Sequence, residues 1–302
     1  MALDLRPGPS SLDIDLRAMR IGALLNTSSG SCDEQAQHDL LAALQSVGLT
    51  PLKSWCGNGG EMASALQDVR DRELDLLIVL GGDGTIRGAA EQCSSTGPLL
   101  MPLPGGTMNM LPKALYGERP WREALRDTLN APSVQPVHGG LVGERRFFIA
   151  ALFGGPTRIA EAREALREGD VTEAVAKGVS ALQQALTHDL HYQFGDQDGL
   201  AETVAVLCPL TSRRLDPDDE VLEAAAIKVE GTIETLRLGL RAAFGDWRND
   251  PNVIRAKLVA IAIRSEQPIP ALLDGEAFEV GREARVQFLP HAFRALLPAG
   301  DD

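Results

Sequence analysis

A short apolar run followed directly by glycines constrains this chain most strongly. Residues 76–80 read Leu-Leu-Ile-Val-Leu and lead into Gly-Gly-Asp-Gly-Thr at 81–85. An apolar run of this length, bounded by turn residues, predicts a buried strand of a parallel sheet. The glycines predict a tight turn whose backbone N–H groups can approach an anion, and residues 86–93 can continue as a helix. The stretch therefore predicts a phosphate site at the end of the strand.

Two side chains in this turn add chemistry to the predicted phosphate site. Thr85 supplies a hydroxyl donor, and Asp83 places a carboxylate beside the same anion. A carboxylate repels phosphates unless it holds a metal, a proton or an incoming hydroxyl group, so Asp83 is a candidate catalytic residue. The alternative is a strand-to-helix turn that needed glycine, with Asp83 as a helix cap.

Strands and helices alternate along the first part of the chain. The predicted strands lie at 20–25, 49–55, 76–80 and 99–103. Their alternation with helices predicts an α/β domain with a doubly wound parallel sheet over residues 17–133. From 134 to 289 the strands mostly follow one another without helices, apart from a helical stretch at 158–186, and this predicts a largely antiparallel β domain.

Charge and cysteine content restrict the partners of the chain. The 29 basic and 42 acidic side chains give a net charge of -13, which opposes binding to nucleic acid and to anionic membrane surfaces. No segment of the sequence approaches the roughly 20 apolar residues of a membrane-spanning helix. The widely spaced cysteines predict reduced thiols rather than disulfides or a zinc site. We therefore expect a cytoplasmic protein whose membrane contact, if any, is local and apolar.

Two more polar turns follow predicted strands. Residues 26–30 read Asn-Thr-Ser-Ser-Gly after the first strand, and residues 104–110 read Pro-Gly-Gly-Thr-Met-Asn-Met after the fourth. Open α/β sheets bind ligands at the carboxyl ends of their strands, so both turns are candidate ligand sites. The first turn also suits helix capping.

The three turns resemble, in the right order, motifs of diacylglycerol kinases and their relatives. The glycine turn at 81–85 resembles the nucleotide-phosphate loop shared by diacylglycerol kinases, sphingosine kinases and NAD kinases. The turn at 26–30 keeps the Asn and Gly of Asn-Pro-x-x-Gly, and 103–109 resembles Leu-Pro-x-Gly-Thr-x-Asn. The chain thus resembles bacterial lipid kinases with a diacylglycerol kinase catalytic domain. The nucleotide-binding residues that this resemblance implies are Asn26, Ser29, Gly30, Gly81, Gly82, Gly84, Thr85, Gly106, Thr107 and Asn109.

The second half of the chain carries two acidic clusters. Residues 273–276 resemble the family's Leu-Asp-Gly-Glu, which implies Glu276 as the proton acceptor and Asp274 as its essential partner. In sphingosine kinases the acid of the glycine loop has that role, which points to Asp83, and both assignments stay open. The stretch 216–223 resembles Asp-Gly-x-Leu-Asp and implies Mg²⁺ bound by the Asp219 side chain and the Val221 carbonyl. Its spacing alone favours a solvated acidic turn.

The resemblance implies an ATP-dependent lipid kinase. It would phosphorylate the hydroxyl of a lipid alcohol such as diacylglycerol during transient contact with the inner membrane face. The β-rich domain would complete the active site and bind the lipid, and a final strand at 290–298 would return to the first domain. The departures from the family pattern are Arg87, Gly88, Met110 and Glu220. An NAD kinase or other small-molecule kinase, or a nucleotide-binding regulator without catalysis, remains the alternative, and both monomer and homodimer stay open.

Overall fold

The computed structural model of the chain describes residues 14–32, 35–154, 190–228 and 253–299. The chain divides into two compact units. The first comprises Met1–Pro136 and Phe293–Asp302, and the second comprises Val137–Ala292. The helical stretch predicted at 158–186 lies outside the described residues.

The first unit is a parallel sheet with helices between its strands. Its strands are β1 (Ile21–Asn26), β2 (Lys53–Gly57), β3 (Leu76–Gly81) and β4 (Leu99–Pro104). Its helices are α1 (Ala36–Ser46), α2 (Gly59–Arg70), α3 (Asp83–Cys93), α4 (Met110–Tyr116) and α5 (Trp121–Asn130), and a 3-10 turn spans Leu16–Ala18. The strands lie in the order β2-β1-β3-β4, all parallel. This confirms the predicted α/β class.

The apolar strands of this sheet explain why helices must cover it. Every residue of β3 and of β4 is buried, and so are the first five residues of β1. A strand buried on both faces needs a layer on each side, which crossover helices supply. The helices begin where the sequence allows it: Asn58 caps α2 in a capping box with Glu61.

The second unit is an antiparallel β structure. It contains the larger parts of β5 (Pro132–Val142) and β16 (Glu283–Pro298), whose other residues belong to the first unit. Its further strands are β6 (Arg145–Phe147), β7 (Ala150–Gly154), β8 (Leu190–Phe194), β9 (Gln197–Ala201), β10 (Thr203–Leu207), β11 (Leu222–Ile227), β12 (Val253–Leu258), β13 (Ala260–Arg264), β14 (Ile269–Leu273) and β15 (Glu276–Val280), with a 3-10 turn at Pro209–Thr211. One sheet has the order β12-β11-β10-β7-β14-β15. Strands β16, β13, β8 and β9 are hydrogen-bonded side by side in that order.

The core of the second unit lies where these two sets of strands face each other. Alternate residues of β8 point inward, so Leu190, Tyr192 and Phe194 are buried while the residues between them are exposed. They pack with residues of the six-stranded sheet such as Phe153 and Val206. The predicted antiparallel β class is confirmed.

Strand β16 continues past the boundary between the units. Its first half pairs antiparallel with β13, and Ala295 near its end pairs in parallel with Leu100 of β4. Val259 separates strands β12 and β13 and is 60% exposed. Within the described residues, no helix is long and apolar enough to cross a membrane.

Candidate active site

The turns after β1, β3 and β4 lie against one another in the first unit. The Ser31 N–H donates to the Gly105 carbonyl at 2.8 Å, and the Gly105 N–H donates to the Gly81 carbonyl at 2.9 Å. Backbone hydrogen bonds therefore connect all three predicted ligand turns. The carboxyl edge of the parallel sheet brings these turns together, as its geometry requires.

Glycine is needed where the second and third turns touch. A Cβ atom on Gly105 would lie 2.7 Å from the Gly81 nitrogen, and one on Gly106 would lie 2.7 Å from the Gly82 Cα. Both clashing atoms belong to the backbone, which cannot swing away as a side chain can. The glycines of the two motifs therefore serve the packing of one loop on the other.

Asp83 fixes the loop after β4. Its Oδ2 accepts the Asn109 N–H at 2.9 Å, and its Oδ1 accepts the Met110 N–H at 2.6 Å. Asn109 adopts a left-handed backbone (φ 51°), which asparagine tolerates better than most residues. Its side chain closes the loop on both backbone groups of Gly106, at 2.7 and 2.8 Å. Each carboxylate oxygen of Asp83 thus anchors the start of α4.

Polar side chains of the first turn hold the glycine loop in place. Asn26 donates from Nδ2 to the Thr85 hydroxyl at 2.8 Å and accepts the Ser28 N–H at 3.0 Å. The Ser29 hydroxyl accepts the Gly82 N–H at 2.9 Å. These side chains and Asn109 build the framework of the turns, since their hydrogen bonds go to the protein itself.

A second set of residues faces outward from the same turns. Gly30, Gly84, Thr107 and Met108 are exposed, and Met108 retains 52% of its surface. Helix α3 begins at Asp83 with Gly82 at its N-cap, and among the described residues no side chain caps it. The first N–H groups of a helix have no partner inside the helix, and its N-terminus carries partial positive charge. The exposed surface of these turns is therefore suited to bind phosphate groups.

A fourth turn, which sequence reasoning missed, joins this set. The Thr27 N–H donates to the Gly57 carbonyl at 2.8 Å, and the Gly59 N–H donates to the Ser28 hydroxyl at 3.2 Å. The sequence Gly-Asn-Gly-Gly at 57–60, directly after β2, was the available signal.

Two departures from the family pattern have local explanations in helix α3. Arg87 pairs with Glu91 one turn later, with Nη1 at 2.8 Å from Oε1. A Cβ atom on Gly88 would lie 2.8 Å from the Leu66 Cδ1, so this glycine lets α2 pack closely against α3. The third departure, Met110, begins α4 and donates its N–H to Asp83.

Asp274 stands at the tip of a hairpin in the second unit. Asp274 (φ 50°) and Gly275 (φ 88°) both have left-handed backbones and join β14 to β15, with Leu273 opposite Glu276. Asp-Gly is the strongest two-residue hairpin signal in a sequence. The hairpin and its second strand, β15, were not predicted although this signal was present.

The Asp274 carboxylate binds the backbone of residues 148–150, where the chain enters β7. Its Oδ2 accepts the Phe148 N–H at 2.8 Å, and its Oδ1 accepts those of Ile149 at 2.9 Å and Ala150 at 3.0 Å. The residue is 7% exposed. Glu276 begins β15 and is exposed, so the same turn presents one buried and one exposed carboxylate. The two acidic residues thus lie two positions apart on one hairpin, and their roles as proton acceptor and partner stay a prediction.

The acidic turn with Asp219 lies elsewhere on the same sheet. Asp219 donates its N–H to the Asp216 carbonyl at 2.9 Å and accepts the Asp216 N–H at 3.1 Å. Its Oδ2 lies 3.9 Å from the Nζ of Lys257 on β12. The turn leads directly into β11, which lies three strands from β14, about 14 Å at the usual strand spacing. The structure does not bring this turn next to Asp274.

The acidic turn forms without a glycine. Glu220 is not among the residues with positive φ, so its side chain fits the backbone there. Val221 directly precedes β11. In the described part of the chain, no group of three or more His, Cys, Asp or Glu side chains could hold a metal ion. Metal binding by Asp219 and Val221 stays a prediction.

Comparison with known proteins agrees with this architecture. Residues 20–139 match the family model of the diacylglycerol kinase catalytic domain. A diacylglycerol kinase of Bacillus subtilis (strain 168) is 25% identical over 231 residues, covering 72% of this chain and 76% of the relative. A diacylglycerol kinase of Staphylococcus epidermidis (strain ATCC 12228) is 26% identical over 270 residues, covering 83% of each.

Solved structures share the fold. The crystal structure of a diacylglycerol kinase from Bacillus anthracis str. Sterne superimposes with a TM-score of 0.66 at 17% identity, covering 93% of this chain and 97% of that chain. The order of the turns, the two-unit architecture and the family match agree with one another. Residues 20–139 therefore match the diacylglycerol kinase catalytic domain, and the chain as a whole shares the fold of these kinases.

Proposed function

We propose that this protein transfers the γ-phosphoryl group of ATP to the hydroxyl group of a lipid alcohol such as diacylglycerol. The observation that carries the proposal is the set of interlocked glycine turns at the uncapped start of α3, in a chain whose residues 20–139 match this catalytic domain. Phosphoryl transfer depends mainly on positioning and on stabilising charge, and rigid turns rich in N–H donors serve both needs.

ATP would bind the first unit through its phosphates. The N–H groups at the start of α3, next to the exposed Gly84, would contact the phosphate oxygens. The exposed hydroxyl of Thr107 is a further donor that adds no charge. Asp83, Asn26 and Asn109 would act by holding these donors in place, because their hydrogen bonds go to the turns themselves.

Glu276 is the carboxylate that we propose as the proton acceptor. It is exposed at the hairpin, where an acceptor hydroxyl can reach it. As that hydroxyl oxygen forms a bond to the γ-phosphorus and the bond to the ADP oxygen breaks, Glu276 would take the hydroxyl proton. Asp274 and Asp83 each have both oxygens engaged by backbone N–H groups, which suits a positioning role.

The family also implies Mg²⁺, and the residues at the acidic turn fit it in part. The Asp219 carboxylate and the Val221 carbonyl are oxygen donors, which Mg²⁺ prefers, and this ion usually keeps several waters when one or two carboxylates bind it. The Nζ of Lys257 lies 3.9 Å from the Oδ2 of Asp219, and a bound Mg²⁺ would displace this ammonium group. A bound Mg²⁺ would neutralise the acidic turn.

The acceptor lipid requires contact with a bilayer or micelle. We propose that this contact is transient and peripheral, made by apolar side chains that the surface exposes, of which Val259 (60%) and Met108 (52%) are examples. Flotation with liposomes, with and without diacylglycerol, tests it. A protein that liposomes never retain would contradict peripheral contact.

The acceptor is tested with a panel. Labelled γ-phosphate from ATP and Mg²⁺ is offered to diacylglycerol, sphingosine, other lipid alcohols, NAD and water, each with the parent protein and with Gly106→Ala. We expect label in a lipid and its loss in G106A, because the added Cβ separates the turns. Gly281→Ala is the control, since this glycine lies outside the turns and a Cβ there meets nothing within 4 Å.

Other outcomes of the panel would replace the proposal. Label in NAD alone would indicate a nucleotide kinase. Binding of ATP by calorimetry, without transfer to any acceptor, would indicate a nucleotide-binding regulator.

A further inference from the structure

Glu223 is a buried carboxylate that the proposed reaction does not use. It lies on β11 and is 2% exposed. Its neighbours along the strand, Leu222 and Ala224, face the apolar core, so Glu223 lies on the opposite face of the six-stranded sheet. Burying a carboxylate is costly unless hydrogen bonds satisfy it. Its position therefore needs a reason.

Ser212 is one partner of this carboxylate. The Ser212 hydroxyl donates to the Glu223 Oε2 at 2.5 Å and accepts the Arg214 N–H at 3.1 Å. Ser212 is itself 7% exposed. Its N–H donates to the Cys208 carbonyl at 3.1 Å. Glu223 thus fixes the end of the turn 208–214, which leaves strand β10.

The same turn hydrogen-bonds the carbonyl of Ile149, while Asp274 hydrogen-bonds its N–H. The Ile149 carbonyl accepts the Cys208 N–H at 3.0 Å and the Thr211 hydroxyl at 2.8 Å. The Ile149 N–H donates to Asp274 at 2.9 Å. A continuous set of hydrogen bonds therefore leads from Glu223 through the 208–214 turn to Ile149, and from its N–H to Asp274 at the tip of the hairpin.

Strand register shows that these groups lie in one row. Leu207 on β10 is paired with Glu223 on one side and with Ala150 of β7 on the other. Ala150 exchanges hydrogen bonds with Asp274, donating to its Oδ1 and accepting its N–H at 2.9 Å. Two strand spacings separate Glu223 from Ala150, about 10 Å. Side chains in such a row share one face, and neighbours in it are close enough to interact.

We propose that Glu223 is a positioning residue for Glu276, acting through Ser212, the 208–214 turn and the backbone of 148–150. This inference rests on the proposed function. A hydrogen-bond acceptor at position 223 holds the turn, the turn holds Ile149, and Ile149 with its neighbours holds Asp274 at the tip of the hairpin. Glu276 follows Asp274 by two residues, so the position of Asp274 sets the position of Glu276.

The test uses three variants of the full chain. Glu223→Leu removes the acceptor, Ser212→Ala removes the donor, and Glu223→Gln keeps an acceptor oxygen for the serine. We expect E223L and S212A to lower kcat about tenfold or more, equivalent to the loss of one hydrogen bond to a charged group, with KM for ATP unchanged. E223Q restores most of kcat, and E223L with S212A together are no worse than either alone.

Two further readouts separate positioning from loss of stability. Hydrogen exchange of the amides at 148–150 accelerates in E223L and S212A whether or not the protein transfers phosphate. Thr128→Val is the matched control, because Thr128 is fully buried on α5 and its hydroxyl donates to the Ala124 carbonyl at 2.7 Å. T128V lowers thermal stability but leaves kcat at the parent value.

The outcomes discriminate clearly. Unchanged exchange at 148–150 in S212A and E223L would overturn the positioning role. If E223L does not fold, S212A and E223Q decide in the same way. A parent protein that transfers no phosphate, but whose variants show faster exchange at 148–150, would refute the proposed function and leave the hydrogen-bonded link intact.

Discussion

Replacing Asp274 by asparagine tests whether its carboxylate holds the backbone of β7. Asparagine adopts the left-handed backbone of this position (φ 50°) about as readily as aspartate, so D274N changes the side-chain hydrogen bonds and little else. Asp274 Oδ1 accepts two N–H groups and Oδ2 accepts one. The amide would keep its oxygen toward Ile149 and Ala150 and would point its NH₂ group at the Phe148 N–H.

The expected cost follows from these bonds. One charge-assisted hydrogen bond is lost, and two donors oppose each other in a buried place, which together cost about 2 to 4 kcal/mol. Opening of residues 148–150 should then become about 30-fold more frequent or more, since each 1.36 kcal/mol is a factor of ten. A loss of this size is a large part of the roughly 5–15 kcal/mol that stabilises a typical domain.

Hydrogen exchange by mass spectrometry on peptides that cover 147–151 measures this effect. Glu279→Gln is the control, because Glu279 is exposed on β15 of the same hairpin. We expect faster exchange in D274N and parental exchange in E279Q. Equal exchange in the two variants would refute the inference that the carboxylate clamps β7.

Three further predictions concern the first unit and a buried histidine. Gly106→Ala should abolish measurable ATP binding in calorimetry while Gly281→Ala keeps it; parental affinity in G106A would show that the turns can separate without harm. Asp83→Asn should weaken ATP binding and lower the Tm by several degrees, because one of the two N–H groups at the start of α4 loses its acceptor. Leaving that donor unpaired costs about 1–3 kcal/mol of folding stability. An unchanged Tm would argue against the anchor. Burial and the neighbouring His291 lower the pKa of His138 below its ordinary value of 6.5. Between the two pKa values the unfolded chain binds more protons than the folded chain. The stability that neutral His138 contributes is therefore fully present above about pH 6.5 and is lost as the pH falls through the lowered pKa. His138→Asn removes the titrating group and keeps an acceptor for the His291 N–H. The free energy of unfolding, measured by urea titration at several pH values, should then fall less steeply as the pH decreases; an unaltered pH dependence would contradict this.

The glycine turns could be predicted because their signals are local. The apolar run before residue 81 and the glycines after it specify a buried strand and a tight turn within ten residues. The same holds for the antiparallel class of the second unit, where short strands follow one another. The Asp-Gly pair at 274–275 was equally local, but it was interpreted as chemistry alone and its hairpin was missed.

The hydrogen-bond partners of the acidic residues could not be predicted because they lie on distant backbone. Asp83 receives N–H groups from residues 109 and 110, and Asp274 receives them from 148 to 150. No periodicity or spacing in the sequence places those segments beside each carboxylate. Glu223 gave no signal either, since its burial follows from a strand register and its partner lies eleven residues earlier.

The kcat of Glu276→Gln with diacylglycerol and ATP tests the central claim most directly. Glutamine keeps the size of the side chain and loses the ability to take the proton. We expect kcat to fall about 10²-fold or more, the usual contribution of a general base, while the Kd for ATP stays at the parent value and Glu279→Gln remains fully active. A parental kcat in E276Q would contradict the assignment of Glu276, and a parent protein that never phosphorylates a lipid alcohol would contradict the proposed function.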